Sequence, residues 1–259
     1  MKTFPNDFVD KIICFDCLKV MRHIPDKSID MILCDLPYEV LNKSKGKNKW
    51  DTMIPFEDLW EVYCRIIKEN GAIVLFGQGM FTAKCMLSNE KLWRYNLIWK
   101  KAGRTSGFLN ANRMPMRNHE DIMVFYYKQP TYNPQFTYGH EPSHKKGKKG
   151  ILNETNNCYG EFEVFETRDY GDRKFPKSIL EFDREHPPIH PTQKPVALCE
   201  WLIKTYTNEG ELVLDNCIGS GTTGIACINT KRHFIGIDNN LEYATIARKR
   251  IADTLEQNT

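Results

Sequence analysis

The sequence has no apolar run near the ~20 residues that a membrane-spanning helix needs, so no membrane is expected as a partner. Its opening stretch, MKTFPNDFVDKIICF, lacks an apolar core and a small-residue cleavage site, so no export signal is expected there. Neither sign of charge dominates. The 36 Lys and Arg against 33 Asp and Glu leave a formal net charge of +3, which by itself selects no partner. No internal repeat is visible. Nine cysteines are present, but Cys14 and Cys17 form a lone C-x-x-C with no second pair at zinc-site spacing. They read as buried or partly buried thiols of a reduced, cytoplasmic setting, and no metal site is expected. No cysteine follows a proline.

What is present is unevenly placed. Lys43, Lys45, Lys47 and Lys49 crowd one Gly-containing stretch, and Lys145, Lys146, Lys148 and Lys149 another. One such run is an ordinary solvated surface; two in one chain point to a polyanionic partner. IDMILC (29–34) and AIVLFG (72–77) read as strands buried on both faces. PFEDLWEVYCRIIKENG (55–71) opens on proline and acids and closes on Asn-Gly, predicting a helix. A short turn and helix is expected over 12–24, a helix to about Ser88, and strands at YNLIWK and DIMVFYY. After residue 195 come a helix to Gly210, a strand at 211–215, a helix at 222–230, a strand at 233–237 and a final helix. Strands alternating with helices predict an α/β fold with a parallel sheet.

Residues 128–189 break this pattern. They are rich in Gly, Pro, Asn, Lys and Tyr and read as an insertion between 1–127 and 190–259. Tyr132, Tyr138, Tyr159 and Tyr170 interleave with basic residues there, which suits contact with nucleic acid, although loop tyrosines also serve as packing anchors.

LVLDNCIGSGTTGIACINTKRHFIGIDNN (212–240) is the most informative stretch. An apolar strand delivers Asp215, Gly219 and Gly221 allow a tight turn, and the next strand ends on Asp238, 23 positions after Asp215. In open α/β sheets ligands bind where strands end, and an acid about 20 residues on can hold ribose hydroxyls. The first acid lies inside the turn motif. It would serve a pyrophosphate poorly and a cationic amino-acid group well. That favours S-adenosylmethionine over NAD; a Gly-rich turn without a ligand is the plain alternative.

MILCDLPYEV (31–40) is the second candidate site. Asp35 stands at a strand tip, Pro37 fixes its own φ, and proline crowding holds Leu36 extended. An exocyclic base amine is a poor nucleophile because its lone pair is delocalised. A carboxylate and the Leu36 carbonyl can hold both of its N–H groups, and the Tyr38 ring can stack on the base. Such a base must first leave the duplex, and the transfer itself needs only in-line placement. Alone, D-x-P-Y is also an ordinary strand-to-loop turn.

DLPY resembles the D-P-P-Y motif of amino-group DNA methyltransferases, and LDNCIGSGTT resembles their D-P-F-x-G-S-G-T-T cofactor loop. HPTQKP (190–195) resembles the segment ahead of the helix before that loop. The order, catalytic motif first and cofactor motif last, is similar to their β group. KWDTMIPFEDLW, GAIVLFGQGMF, YNLIWKK and NHEDIMVFYYKQPTYNPQ resemble phage-type and bacterial site-specific adenine methyltransferases.

The resemblance implies a Rossmann-like S-adenosylmethionine-dependent methyltransferase fold with circularly permuted motif order and a small target-recognition insertion. It implies methyl transfer to the N6 amine of a flipped adenine in double-stranded DNA. By the same resemblance Asp35, Leu36, Pro37 and Tyr38 hold the base. Asp215, Gly219, Ser220, Gly221 and Thr222 line the methionine end of the cofactor, and Asp238 takes the ribose. Gln193 and Lys194 lie near the cofactor carboxylate, and Asp16 and Cys17 near its adenine. The 128–189 region reads the DNA sequence, helped by the 39–50 loop as a clamp. This chain departs from the pattern at Phe15, Leu36, Asn216 and Cys217. A leading Asp goes with adenine and Ser with cytosine N4, so cytosine N4 is the alternative, and a silent DNA-binding module of the same fold is another. Cytosine C5 chemistry needs a thiolate, usually in a Pro-Cys pair, which is absent. Pairing of two copies and a companion restriction endonuclease stay open.

Overall fold

The strand Ile29–Cys34 is covered on both faces. Ile29, Ile32 and Cys34 join one apolar layer, and Met31 and Leu33 the other. A strand without a wet face needs no polar alternation, hence the nearly unbroken apolar run. The structure, a computed structural model, describes residues 3–38, 52–102, 105–139, 150–152, 162–164, 171–185 and 193–257.

In chain order the elements are β1 (Lys11–Cys14), α1 (Cys17–Met21), β2 (Ile29–Cys34), α2 (Phe56–Ile66), β3 (Ile67–Gly77), α3 (Met80–Ser88), β4 (Trp93–Lys101) and β5 (His119–Phe125). Then follow β6 (Gly150–Leu152), β7 (Phe162–Val164), β8 (Ile179–Phe182), α4 (Val196–Tyr206), β9 (Leu212–Asp215), α5 (Thr222–Asn229), β10 (His233–Asp238) and α6 (Leu241–Gln257).

The chain forms two compact units, Met1–Asn133 with Ser178–Thr259, and Pro134–Lys177. In the smaller unit β6 and β7 pair antiparallel, and the Phe136 and Phe175 rings pack with centroids 4.8 Å apart, tilted by 56°. The larger unit reaches into the stretch whose composition reads as insertion. Asn133 donates its backbone N–H to Thr205 O, and β8 pairs with β4, Ile98 beside Ile179.

The large sheet has the order β1-β10-β9-β2-β3-β5-β4-β8. It is mixed rather than parallel, because β5 runs antiparallel to both β3 and β4. Strand direction is set by pairing partners, and nothing within DIMVFYY encodes it. As a result the C-terminal ends of β1, β2, β3, β4, β9 and β10 share one edge with the N-terminal end of β5. Leu59, Val62 and Tyr63 of α2 with Phe81 and Cys85 of α3 cover one face. Leu198 and Leu202 of α4, Ala226 of α5 and Ala247 of α6 cover the other.

Three boundaries differ from those predicted. KIIC is an edge strand, Ile12 beside Gly236, too short to show a period. α2 stops at Ile66, ahead of Gly71, because Ile67 is drawn into the sheet beside Ile29. α4 stops at Tyr206, ahead of Gly210, where Thr207 turns extended and its hydroxyl bonds Ile203 O at 2.5 Å. Among the described residues no helix is long and apolar enough to cross a membrane.

β2 and β9 lie side by side, with Ile32 opposite Leu214. From β2 the chain leads to β3 on one side, and from β9 to β10 on the other. This is a switch point of the sheet, where neighbouring loops diverge and leave a crevice. Asp215 comes one residue after Leu214 and Asp35 three after Ile32, so both acids arrive at that crevice.

Candidate active site

One half of the site is a glycine turn held between two acids. Asp215 accepts from Thr223 Oγ1 at 2.6 Å and from the Cys217 backbone N–H at 3.1 Å. Burial pushes its carboxyl up to about 7, against the pull of those two donors. Among the described residues no cationic side chain accompanies it. Asp238 accepts from Gly219 N at 2.9 Å and Asn240 N at 2.8 Å, tying β10 to the turn. Burial raises its carboxyl as well, opposed by the two amides. Arg250 of α6 donates to Ser220 O at 2.7 Å and Oγ at 3.2 Å. The buried Thr222 hydroxyl has no hydrogen-bond partner among the described residues.

Gly221 is required twice over. Its φ is +87°, and a Cβ would stand 3.0 Å from both Cα and Cβ of Ala247 on α6. Gly107 has the same φ of +87° but open space around it. Gly221→Ala should therefore destabilise by more than Gly107→Ala, which carries only the ~1–2 kcal/mol conformational term. Paired thermal melts of the two variants check this, and equal shifts would remove the close-approach argument.

The other half is a cluster of charge. Asp35 accepts the Tyr38 hydroxyl on one oxygen and the Lys194 ammonium on the other. Lys194, 7% exposed, also lies 3.3 Å from Glu120 Oε2. Glu120 in turn holds Lys101, 3% exposed, with Arg184 at 4.0 Å. Burial raises the Asp35 carboxyl, Lys194 lowers it, and Glu120 raises it again. At Glu120 burial acts upward too, but Lys194 and Lys101 outweigh it and the carboxyl is lowered. Burial above all, then Asp35, pushes the Tyr38 phenol well up, so it stays a neutral donor. The Tyr38 ring packs on Phe81 at 4.4 Å.

Both halves open on one cavity of ≈ 540 Å³. Asp35, Leu36, Pro37 and Tyr38 all line it. So does each residue singled out for a cofactor except Gly221, whose backbone shapes the turn from behind. β2, which leads to Asp35, thus precedes β9, which ends on Asp215, in the chain, while the two stand adjacent in the sheet.

The sequence pattern of a DNA methylase family, N6_N4_Mtase, matches residues 29–249. The chain belongs to this DNA methylase family. The Type II methyltransferase M.HpaI of Haemophilus parainfluenzae is 30% identical over 253 residues, spanning 93% of this chain and 74% of the relative. A solved M1.HpyAVI–SAM complex is similar with TM-score 0.62 at 22% identity, over 93% of this chain and 98% of that one. PvuII DNA methyltransferase (cytosine-N4-specific) is similar with TM-score 0.66 at 14% identity, over 95% and 91%. The two structures speak for a shared Rossmann-like methyltransferase fold.

Within this methylase the remaining predicted residues fall as follows. Asp16 caps α1, accepting from Lys19 N at 2.9 Å. Asn216, at a departure from the family pattern, accepts the buried Tyr63 hydroxyl, and its amide meets Cys17 Sγ at 3.8 Å and Cys217 Sγ at 3.6 Å. Gln193 donates to Glu185 rather than standing alone, and Glu185 also accepts Val196 N at 2.9 Å and faces Arg250 at 3.5 Å. Lys194, expected near a cofactor carboxylate, lines the cavity and pairs with Asp35 and Glu120. Lys43, Lys45, Lys47, Lys49, Lys145, Lys146, Lys148 and Lys149 lie outside the described residues. Sequence reasoning passed over Glu120, Lys101, Glu185 and Arg250. The hint for Glu120 is a pair of acids, Glu120 and Asp121, ahead of an apolar run, as Asp35 trails one.

Proposed function

We propose that the protein transfers a methyl group from S-adenosylmethionine to the N6 amine of an adenine turned out of double-stranded DNA, in the cytoplasm. What carries the reading is the meeting of Asp35 and Asp215, from adjacent strand ends, on one cavity. S-adenosylmethionine supplies a methyl group activated on a sulfonium. The residues suit it: among the described residues the buried Asp215 carboxyl has no cationic partner and the Thr222 hydroxyl no hydrogen-bond partner. Asp215 would take the ammonium, Asp238 the ribose hydroxyls and Asp16 the adenine end. Gly219, Ser220 and Thr222 would line the methionine end.

Asp35 and the Leu36 carbonyl accept the two N–H groups of the target amine. The Tyr38 hydroxyl and Lys194 hold the carboxylate in its plane. Its raised proton affinity suits it to take the proton the amine gives up. The 128–189 region, with Pro134–Lys177 as a unit of its own, would read the DNA sequence.

The 105–118 segment joining β4 to β5 leaves from the same sheet edge as Asp35. It has no acid, carries Arg113 and Arg117, and exposes Phe108 (74%) and Leu109 (83%). We read it as part of the DNA face. Replacing Arg113 and Arg117 by Ala should flatten the plot of log affinity against log salt by ~0.9 per lost phosphate contact. An unchanged slope in a binding titration removes the segment from that face.

The reading is tested with unmethylated DNA and methyl-labelled S-adenosylmethionine, followed by digestion to nucleosides. Label in N6-methyladenine is expected. Label in N4-methylcytosine alone would replace adenine by the other amine of the same chemistry. Label no higher than with Asp35→Ala overturns the reading.

A further inference from the structure

Behind Asp35 stands a set of buried charges drawn from the end of β4, the start of β5 and the approach to α4. Lys194 enters just ahead of α4 and bridges Asp35 Oδ2 to Glu120 Oε2, the latter at 3.3 Å. Its ammonium also lies 5.0 Å from the centroid of the Phe76 ring, so it is enclosed on three sides. Glu120 is the second residue of β5, and its other oxygen is held by Lys101, the last residue of β4. Two carboxylates and two ammonium groups thus balance, with Arg184 at the margin. A buried set of this kind stands only while every charge keeps its partner.

We propose that Glu120 and Lys194 are positioning residues for the transfer: Glu120 shares the Lys194 ammonium with Asp35, and the sharing sets both the plane of the Asp35 carboxylate and its strength as a proton acceptor. The inference rests on the role proposed above for Asp35. A lysine given wholly to Asp35 would close it into an ion pair and leave a weak base. A carboxylate facing Asp35 with no lysine between them would keep it protonated. With the ammonium divided between two acceptors, Asp35 stays ionised yet basic where it lines the cavity.

The groups around Asp35 come from every neighbouring element. Tyr38 and Cys34 flank it in the chain, Asp215 faces it from β9, Lys194 from the approach to α4, and Glu120 from β5. Lys101 and Arg184 act through Glu120. Cys34, pushed up to about 12 by burial, is neutral and adds no charge. The two partners pull in opposite directions, Lys194 favouring the carboxylate and Glu120 the acid.

Opposite shifts of one pH profile follow, which a merely structural role would not produce. kcat and KM of the full chain are measured on DNA from acid to alkaline pH. In Lys194→Met the acid limb of kcat should move to higher pH, with at least a ~10-fold loss at neutral pH that partly recovers on the alkaline side. In Glu120→Gln the limb should move to lower pH, with a reduced plateau, because Asp35 becomes the weaker base. Lys194→Arg, which keeps the charge, should return the limb toward wild type. KM for S-adenosylmethionine should change little in all three. A raised KM for S-adenosylmethionine with an unmoved limb would make Lys194 a cofactor contact and overturn the proposal. A limb that moves the same way in Lys194→Met and Glu120→Gln overturns it too. If Lys194→Met does not fold, Lys194→Arg and the isosteric Glu120→Gln still decide. Activity retained in Asp35→Ala would instead sink the reading on which the inference rests. An inactive Asp35→Ala with unmoved limbs elsewhere sinks the inference alone.

Discussion

Asp35→Ala should lower the rate of methyl transfer by at least ~10³-fold and leave S-adenosylmethionine binding within a few-fold of wild type. The reason is geometric. Asp35 reaches the cavity from β2, whereas Asp215, Asp238 and the glycine turn belong to β9, β10 and the chain between them. Removing the first leaves the second intact. The fold should survive, because Lys194 keeps Glu120 as a partner. Asp35→Asn separates charge from shape: it can still accept one N–H but is a far weaker base, so it should stay close to the alanine variant in rate. Single-turnover transfer and calorimetric binding together check both halves of the prediction. A tenth of the wild-type rate in Asp35→Ala would remove Asp35 from the chemistry.

Asp215→Asn should stabilise the ligand-free protein at pH 8 and weaken S-adenosylmethionine binding. Burial raises this carboxyl from the ordinary 3.8 to about 7. Between those values the folded chain holds a proton that the unfolded chain has lost, so stability falls as pH rises through that window and levels off above it. The penalty at pH 8 is on the order of a few kcal/mol. Asn removes it, and the Thr223 hydroxyl can turn to accept where it now donates. Asp35 and Asp238 are also raised and slope the same way, so the difference between wild type and variant isolates Asp215. Denaturant melts from pH 4 to pH 8 measure it. Curves that stay parallel would show that Asp215 ionises freely in the fold. A ligand ammonium beside Asp215 draws the carboxyl back down. Binding below pH 7 should therefore release a proton in wild type and none in Asp215→Asn, as heats in buffers of different ionisation enthalpy would reveal.

Asp215 illustrates why so much of the site is legible in the chain. A carboxylate closing an apolar strand and followed by glycines has few structural uses, and it is costly where it stands. Asp35 is legible for a related reason, since proline two residues on restricts the backbone beside it. Glu120 has the same character of an acid against an apolar strand, yet no glycine or proline marks it. Its importance comes from Lys101 and Lys194, and neither is its neighbour in the chain.

The sequence by itself determined the strand and helix identities of the regular halves apart from β1, the two strand-end acids and the turn between Asp215 and Asp238. These depend on burial period, on proline and glycine sterics, and on the cost of burying charge, all of which act over a few residues. Only the tertiary structure decided that β5 runs against its neighbours, that KIIC pairs at the edge, and that α2 yields Ile67 to the sheet. It alone decided that Lys194 belongs to Asp35, 159 positions away. Strand order sets which ends share an edge. A buried charge takes as its partner whichever opposite charge that order brings within reach, at any distance along the chain.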